Sequence, residues 1–117
     1  MKDDGLYLIH ILECVSRVAQ YTAGGKDEFF RDSKTQDAVI RNLQVLAESS
    51  QRISPTLKGE HPEVGWEKIA GFRNVLVHEY LGINLARVWE VVELHVPELK
   101  QRVIELPKGL GQSPSEL

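Results

Sequence analysis

The chain has 117 residues, 42% of them apolar and 26% charged, with a formal net charge of −3 and a pI near 5.8. That length suits one domain and that composition an ordinary globular fold. The charge argues against a protein that grips nucleic acid through overall basicity, so any RNA contact has to run through a local basic site. The single cysteine, Cys14, excludes an internal disulfide and a cysteine-based zinc site, and its apolar neighbours make it a small buried hydrophobe. The start, Met1 to Gly5, lacks the apolar run of a signal peptide, and no stretch reaches the ~18 apolar residues of a membrane span. A cytoplasmic protein without membrane contact is the expectation.

Residues 3–22 read as a first helix. Asp3 and Asp4 suit its N-cap and first turn, because carboxylates accept bonds from free helix N–H groups. Leu8, Ile11, Leu12, Val15, Val18, Ala19 and Thr22 form one apolar stripe at helical spacing, and His10, Glu13 and Arg17 fall off it. Gly24-Gly25 ends the helix. Residues 26–33 are ambiguous: Phe29 and Phe30 call for burial, and Asp32-Ser33 offers the next N-cap. Residues 34–53 form a second long helix with Val39, Leu43, Leu46, Ser50 and Ile53 inward, widened by Ile40 and Ala47, and Pro55 stops it. Glu48 lies beside this stripe, either as a solvated carboxylate or as a polar group facing a site.

Residues 54–62 read as a loop, with Pro62 in the first turn of a third helix that runs to about Tyr80. Its apolar positions are Trp66, Ile69, Phe72, Leu76 and Val77, and Gly82 ends it. Asn84 caps a fourth helix with Leu85, Val88, Trp89 and Val92 inward. Pro97 predicts a break or kink after Val96, followed by a short helix that buries Leu99, Val103 and Leu106. From Pro107 three turn-forming residues and no apolar period predict a flexible tail, 107–117. No segment alternates at period two. The expectation is an all-α domain over 1–106, an antiparallel bundle of four main helices plus a short C-terminal one.

The chemistry concentrates in Arg73-Asn74-Val75-Leu76-Val77-His78-Glu79-Tyr80. Arg73 carries a planar fork of donors that matches phosphate oxygens and stays charged at working pH. His78 has an intrinsic pKa near ~6.5, suited to proton transfer at neutral pH. On a regular helix Arg73 and Tyr80, seven residues apart, point nearly the same way, whereas His78 lies about 140° round from Arg73. Either the helix end unwinds near Gly82, or a second copy faces the first across a two-fold axis and shares the site. A purely structural role is also open: Arg73 in an ion pair with Glu79, His78 capping a helix end and Tyr80 at a rim.

This motif, R-x4-H-x-Y, resembles that of the HepT toxins of the HEPN superfamily. Residues Asp37 to Leu43 with Glu48, the Trp66 entry to the third helix and the Val88-Trp89 pair extend the resemblance over roughly residues 5–105. The resemblance implies a HEPN-like helical homodimer and a metal-independent RNA endonuclease, the toxin of a toxin–antitoxin pair. Arg73 and His78 would be catalytic, with a ribose 2′-OH as nucleophile and no cofactor in this chain. Asn74 and Tyr80 would position RNA phosphate, and Glu48 would support them from behind. The cognate antitoxin would be a minimal nucleotidyltransferase that spends ATP to transfer AMP to Tyr80. The phosphate would then occupy Arg73 and repel the substrate.

A rival reading makes the chain a non-catalytic partner-binding subunit of such a nucleotidyltransferase, which the acidic pI favours and the intact motif disfavours. His10, His61, His78 and His95 lie on different elements, without the spacing of a metal site, and His61 and His95 read as surface groups. Arg41, Arg52, Lys68 and Arg73 are the candidates for a local basic cluster. Ile9 and Val75 are apolar positions beyond one stripe, which makes the first and third helices candidates for a dimer face.

Overall fold

The computed structural model describes residues 3–76 and 84–107, and every regular element among them is helical. In chain order these are α1 (Asp4–Tyr21), α2 (Lys26–Arg31), α3 (Ser33–Arg52), α4 (Pro55–Glu60), a 3-10 turn (Pro62–Val64), α5 (Trp66–Leu76), α6 (Leu85–Glu90), a π turn (Val91–His95) and α7 (Val96–Ile104). The tail expected beyond Pro107, apart from that first residue, lies outside the described residues. No helix among them is long and apolar enough to cross a membrane.

α3 is the central helix, packed on α1 along one side and α5 along the other. Its inward residues are those the 3.6-residue period selects: Val39, Leu43, Leu46 and Ala47 are fully buried, with Ser50 and Ile53 close behind. They meet Leu8, Ile11, Val15 and Val18 of α1, with Cys14, and Ile69, Phe72 and Leu76 of α5 in one core. α7 closes it with Val96, Leu99 and Val103, and Leu106 follows just beyond the helix. Each buried valine, leucine, isoleucine or phenylalanine among them stabilises the fold by about 1.5–3 kcal/mol.

The α1 start lies against the α3 end, so these two helices run antiparallel. Asp4 makes that junction. It is turned inward rather than capping its own helix, and it accepts bonds from the Ser54 backbone N–H at 2.8 Å and from the Ser54 hydroxyl at 2.6 Å. Asp3 occupies the N-cap without a side-chain bond. Burial pushes the Asp4 carboxyl up, yet the opposing interactions, the two Ser54 bonds foremost among them, together hold the group below its ordinary value. The Ser54 hydroxyl oxygen in turn accepts from the Leu57 N–H and caps α4.

That cap explains one departure from expectation. Residues 55–60 were expected as loop because Pro55 stops α3. Proline at the first helical position equally starts a helix, and Ser54 before it supplies the cap, so the chain restarts as α4. Pro62 likewise opens a separate 3-10 turn rather than α5. Gly65, at φ +77°, ends that turn in a left-handed conformation that disfavours any Cβ, and α5 begins at Trp66. The ambiguous stretch after Gly25 is α2, tied to α3 by the Gln36 amide donating to the Phe29 carbonyl at 2.9 Å. Phe29 is fully buried, but Phe30 stays 38% exposed.

Two expected caps are present: Asp32 accepts from the Lys34 N–H at 3.0 Å, and Asn84 from the Arg87 N–H at 3.2 Å. Of the break or kink expected at Pro97, the break is absent. The backbone stays helical from α6 into α7, and the Val96 N–H reaches five residues back to the Val91 carbonyl. The widened turn lets the proline pass where a regular turn would set its ring against a carbonyl. The expected fourth helix and short fifth helix are therefore one rod with a π turn in its middle.

Candidate functional site

Arg73 sits in the last described turn of α5, on the side turned towards α3. It shares a concavity of about 250 Å³ with Leu76 and with Gln44 and Glu48 of α3. The geometry follows from helical spacing. Gln44 and Glu48 are four apart and Arg73 and Leu76 three apart, so each pair stacks on one face of its helix. Leu76 is buried and forms the floor, while Arg73 and Glu48 are exposed at the rim. A guanidinium open to solvent, in a concavity shared with a carboxylate and an amide, can receive an anionic group on the cation.

Of the residues singled out in the sequence, the structure brings Arg73 and Glu48 together. Glu48 is an exposed carboxylate that lines the same concavity as Arg73. Asn74 is exposed one position further round α5 and does not line this concavity. His78 and Tyr80 lie outside the described residues. Gln44 was missed; its signal was the four-residue spacing from Glu48. Among the described residues no three His, Cys, Asp or Glu side chains gather as a metal ion would need.

Of the expected basic cluster of Arg41, Arg52, Lys68 and Arg73, Lys68 is turned away from Arg73. Lys68 is five residues earlier on α5, about 140° round the helix, and pairs with Glu98 of α7 at 3.7 Å. The histidines expected at the surface are half-buried. His61 bonds Glu63 at 3.1 Å, and its carbonyl accepts the Trp66 indole N–H at 3.0 Å. His95 lies against the Phe72 ring at 6.3 Å, and its Nδ1 is buried without a hydrogen-bond partner among the described residues.

With this geometry in view, comparison with known proteins is informative. A family model described as "Ribonuclease HepT-like" matches residues 11–106. The chain is 31% identical to a Methanocaldococcus jannaschii protein named "Gamma-glutamylcyclotransferase and putative RNase MJ0434", over 96% of this chain and 51% of that protein. It thus spans about half the length of that relative. It is 35% identical to a protein of Thermococcus cleftensis named "Probable ribonuclease HepT", over 87% of this chain and 94% of the other. It is 30% identical to the "mRNA nuclease HepT" of Shewanella oneidensis, over 78% of this chain and 86% of the other. No solved structure gives a significant match.

Proposed function

Because the chain belongs to the HepT-like ribonuclease family, we propose that it is an RNA endonuclease whose reacting phosphate docks at the Arg73 concavity. The observation that carries this is the exposed Arg73 guanidinium beside Glu48 and Gln44, five residues before His78 in the chain. In this reading the ribose 2′-OH attacks the adjacent phosphorus, its proton passes to a base, and the 5′-oxygen leaves with a proton from an acid. His78 is the group in the motif with a pKa suited to those transfers. Arg73 stabilises charge as it builds on the phosphate oxygens. The nucleophile belongs to the substrate, so the step calls for no metal or cofactor. Asn74 and Tyr80 position the RNA.

The finer reading is a toxin held in check by a minimal nucleotidyltransferase antitoxin. The Tyr80 phenol oxygen would attack the α-phosphorus of ATP, pyrophosphate would leave, and AMP on Tyr80 would cover Arg73. A homodimer completes the proposal. Leu6 and Ile9 leave α1 at 51% and 46% exposure, one turn apart, and offer an apolar strip for a second copy.

Induced expression in bacteria tests the core claim. Growth arrest with new RNA fragments is expected from the intact chain, and neither from Arg73→Ala or His78→Ala variants shown to fold by circular dichroism. Intact RNA and normal growth with soluble wild-type chain would sink the nuclease reading in favour of a partner-binding subunit. Incubation with the antitoxin and ATP should add one adenylyl mass to wild type and none to Tyr80→Phe.

A further inference from the structure

We propose that the groove where α4 meets α5 is a nucleotide subsite, in which a base of single-stranded RNA stacks on the indole of Trp66. This rests on the RNA-cleaving reading above and adds to it a place where the strand is gripped away from the reacting phosphate. The groove measures about 610 Å³, well above the Arg73 concavity, and Lys58, Gly59, Pro62, Gly65, Trp66 and Ala70 line it. Its walls are low. A Cβ built on Gly59 would meet nothing within 4 Å, and one on Gly65 would reach only the Lys68 stem at 3.8 Å.

Trp66 is the one aromatic group among the described residues on this groove, and its setting fits stacking. The indole N–H is already engaged by the His61 carbonyl at 3.0 Å, which pins the ring. The ring is half-buried and packed against the core, so what it has left to offer is the part of its π surface that lines the groove, and every base has a matching face. Lys58 on one flank is balanced by Glu67 on the other. A near-neutral groove suits a base better than a phosphate.

Its position ties the groove to the reaction. Trp66, Ala70 and Arg73 are spaced i, i+4, i+7 and form a single stripe along α5, with Trp66 and Arg73 about 10 Å apart along the axis. An extended strand covers that span in about one or two nucleotides, so a base on Trp66 leaves a nearby phosphate at Arg73. The groove lined by Lys68, Phe72 and His95 lies round α5 from this stripe.

Two measurements decide the matter. In cleavage of a short unstructured oligoribonucleotide, Trp66→Leu and Gly59→Glu should raise KM roughly 5- to 100-fold with kcat nearly unchanged, while Trp66→Phe keeps most of the affinity. Gly59→Glu projects into open space and leaves the packing intact, whereas Trp66→Leu removes a side chain packed against the core. Unchanged KM in all three variants would overturn the subsite. Independently, Trp89→Phe leaves Trp66 as the sole tryptophan of the two in the chain. Its fluorescence should be quenched by an uncleavable 2′-O-methyl strand and not by an abasic strand of the same length. Absence of quenching by the base-bearing strand overturns the proposal even if the chain cuts RNA. Quenching in a chain that cuts nothing would remove the nuclease reading and leave the subsite standing.

Discussion

Asp4 is an acidic side chain that sequence pattern places at a helix start, where it ought to face water. It is instead 1% exposed and holds a residue fifty positions away. Asp4→Ala should cost about 1–3 kcal/mol, since it strips the buried Ser54 N–H of its acceptor. The effect has a pH signature. Because the folded state holds this carboxyl below its unfolded value near 3.8, its contribution is complete only above about pH 5. It fades as pH falls through the lower folded value. Urea unfolding of wild type and Asp4→Asn should therefore differ most near neutrality and converge in acid. At the rim of the site, Arg73→Lys keeps the charge but loses the planar fork, and cleavage should fall at least about tenfold, because a point charge cannot hold two phosphate oxygens at once.

At the scale of elements, the long helices were legible because burial follows a 3.6-residue period over many turns. Val39, Leu43 and Leu46 say where α3 faces without any knowledge of its neighbours. The short elements were not legible. Ser54-Pro55 and Pro62 carry both stop and start signals, and which one wins depends on tertiary bonds such as Asp4 to Ser54. The candidate site divides in the same way. Arg73 was visible as a charged group in a motif, and its nearness to Glu48 required knowing that α3 and α5 are neighbours. Gly65 controls where α5 begins, and with it the placement of Trp66. Gly65→Ala forces a Cβ into a left-handed backbone and should lower stability by about 1–2 kcal/mol by thermal unfolding, while Gly59→Ala, in open helical space, should be neutral or slightly stabilising.

For the molecule as a whole, a net charge of −3 sets how it can meet RNA. With a net negative charge, binding should depend on few phosphate contacts. The logarithm of affinity against the logarithm of salt concentration should slope shallowly, by about −0.7 for each phosphate engaged on a single strand. Arg73→Ala should remove roughly one such unit, and Trp66→Leu none, because stacking releases no counterion. Sedimentation of wild type against Leu6→Asp/Ile9→Asp would test the proposed pairing through α1, with a shift to monomer expected.

The π turn at Val91–His95 carries a consequence for register. A turn that bonds five residues back accommodates close to one residue more than a regular turn, and one residue is about 100° of rotation. Straightened as an ordinary α-helix with the same residues, the rod would swing Leu99 and Val103 off the core. A deletion of one residue within 91–95 should therefore be absorbed as a plain helix with both faces still seated, whereas the same deletion within 97–103 would unseat one of them. Along a set of aligned relatives, a single-residue gap should fall in that window more readily than anywhere else in the rod.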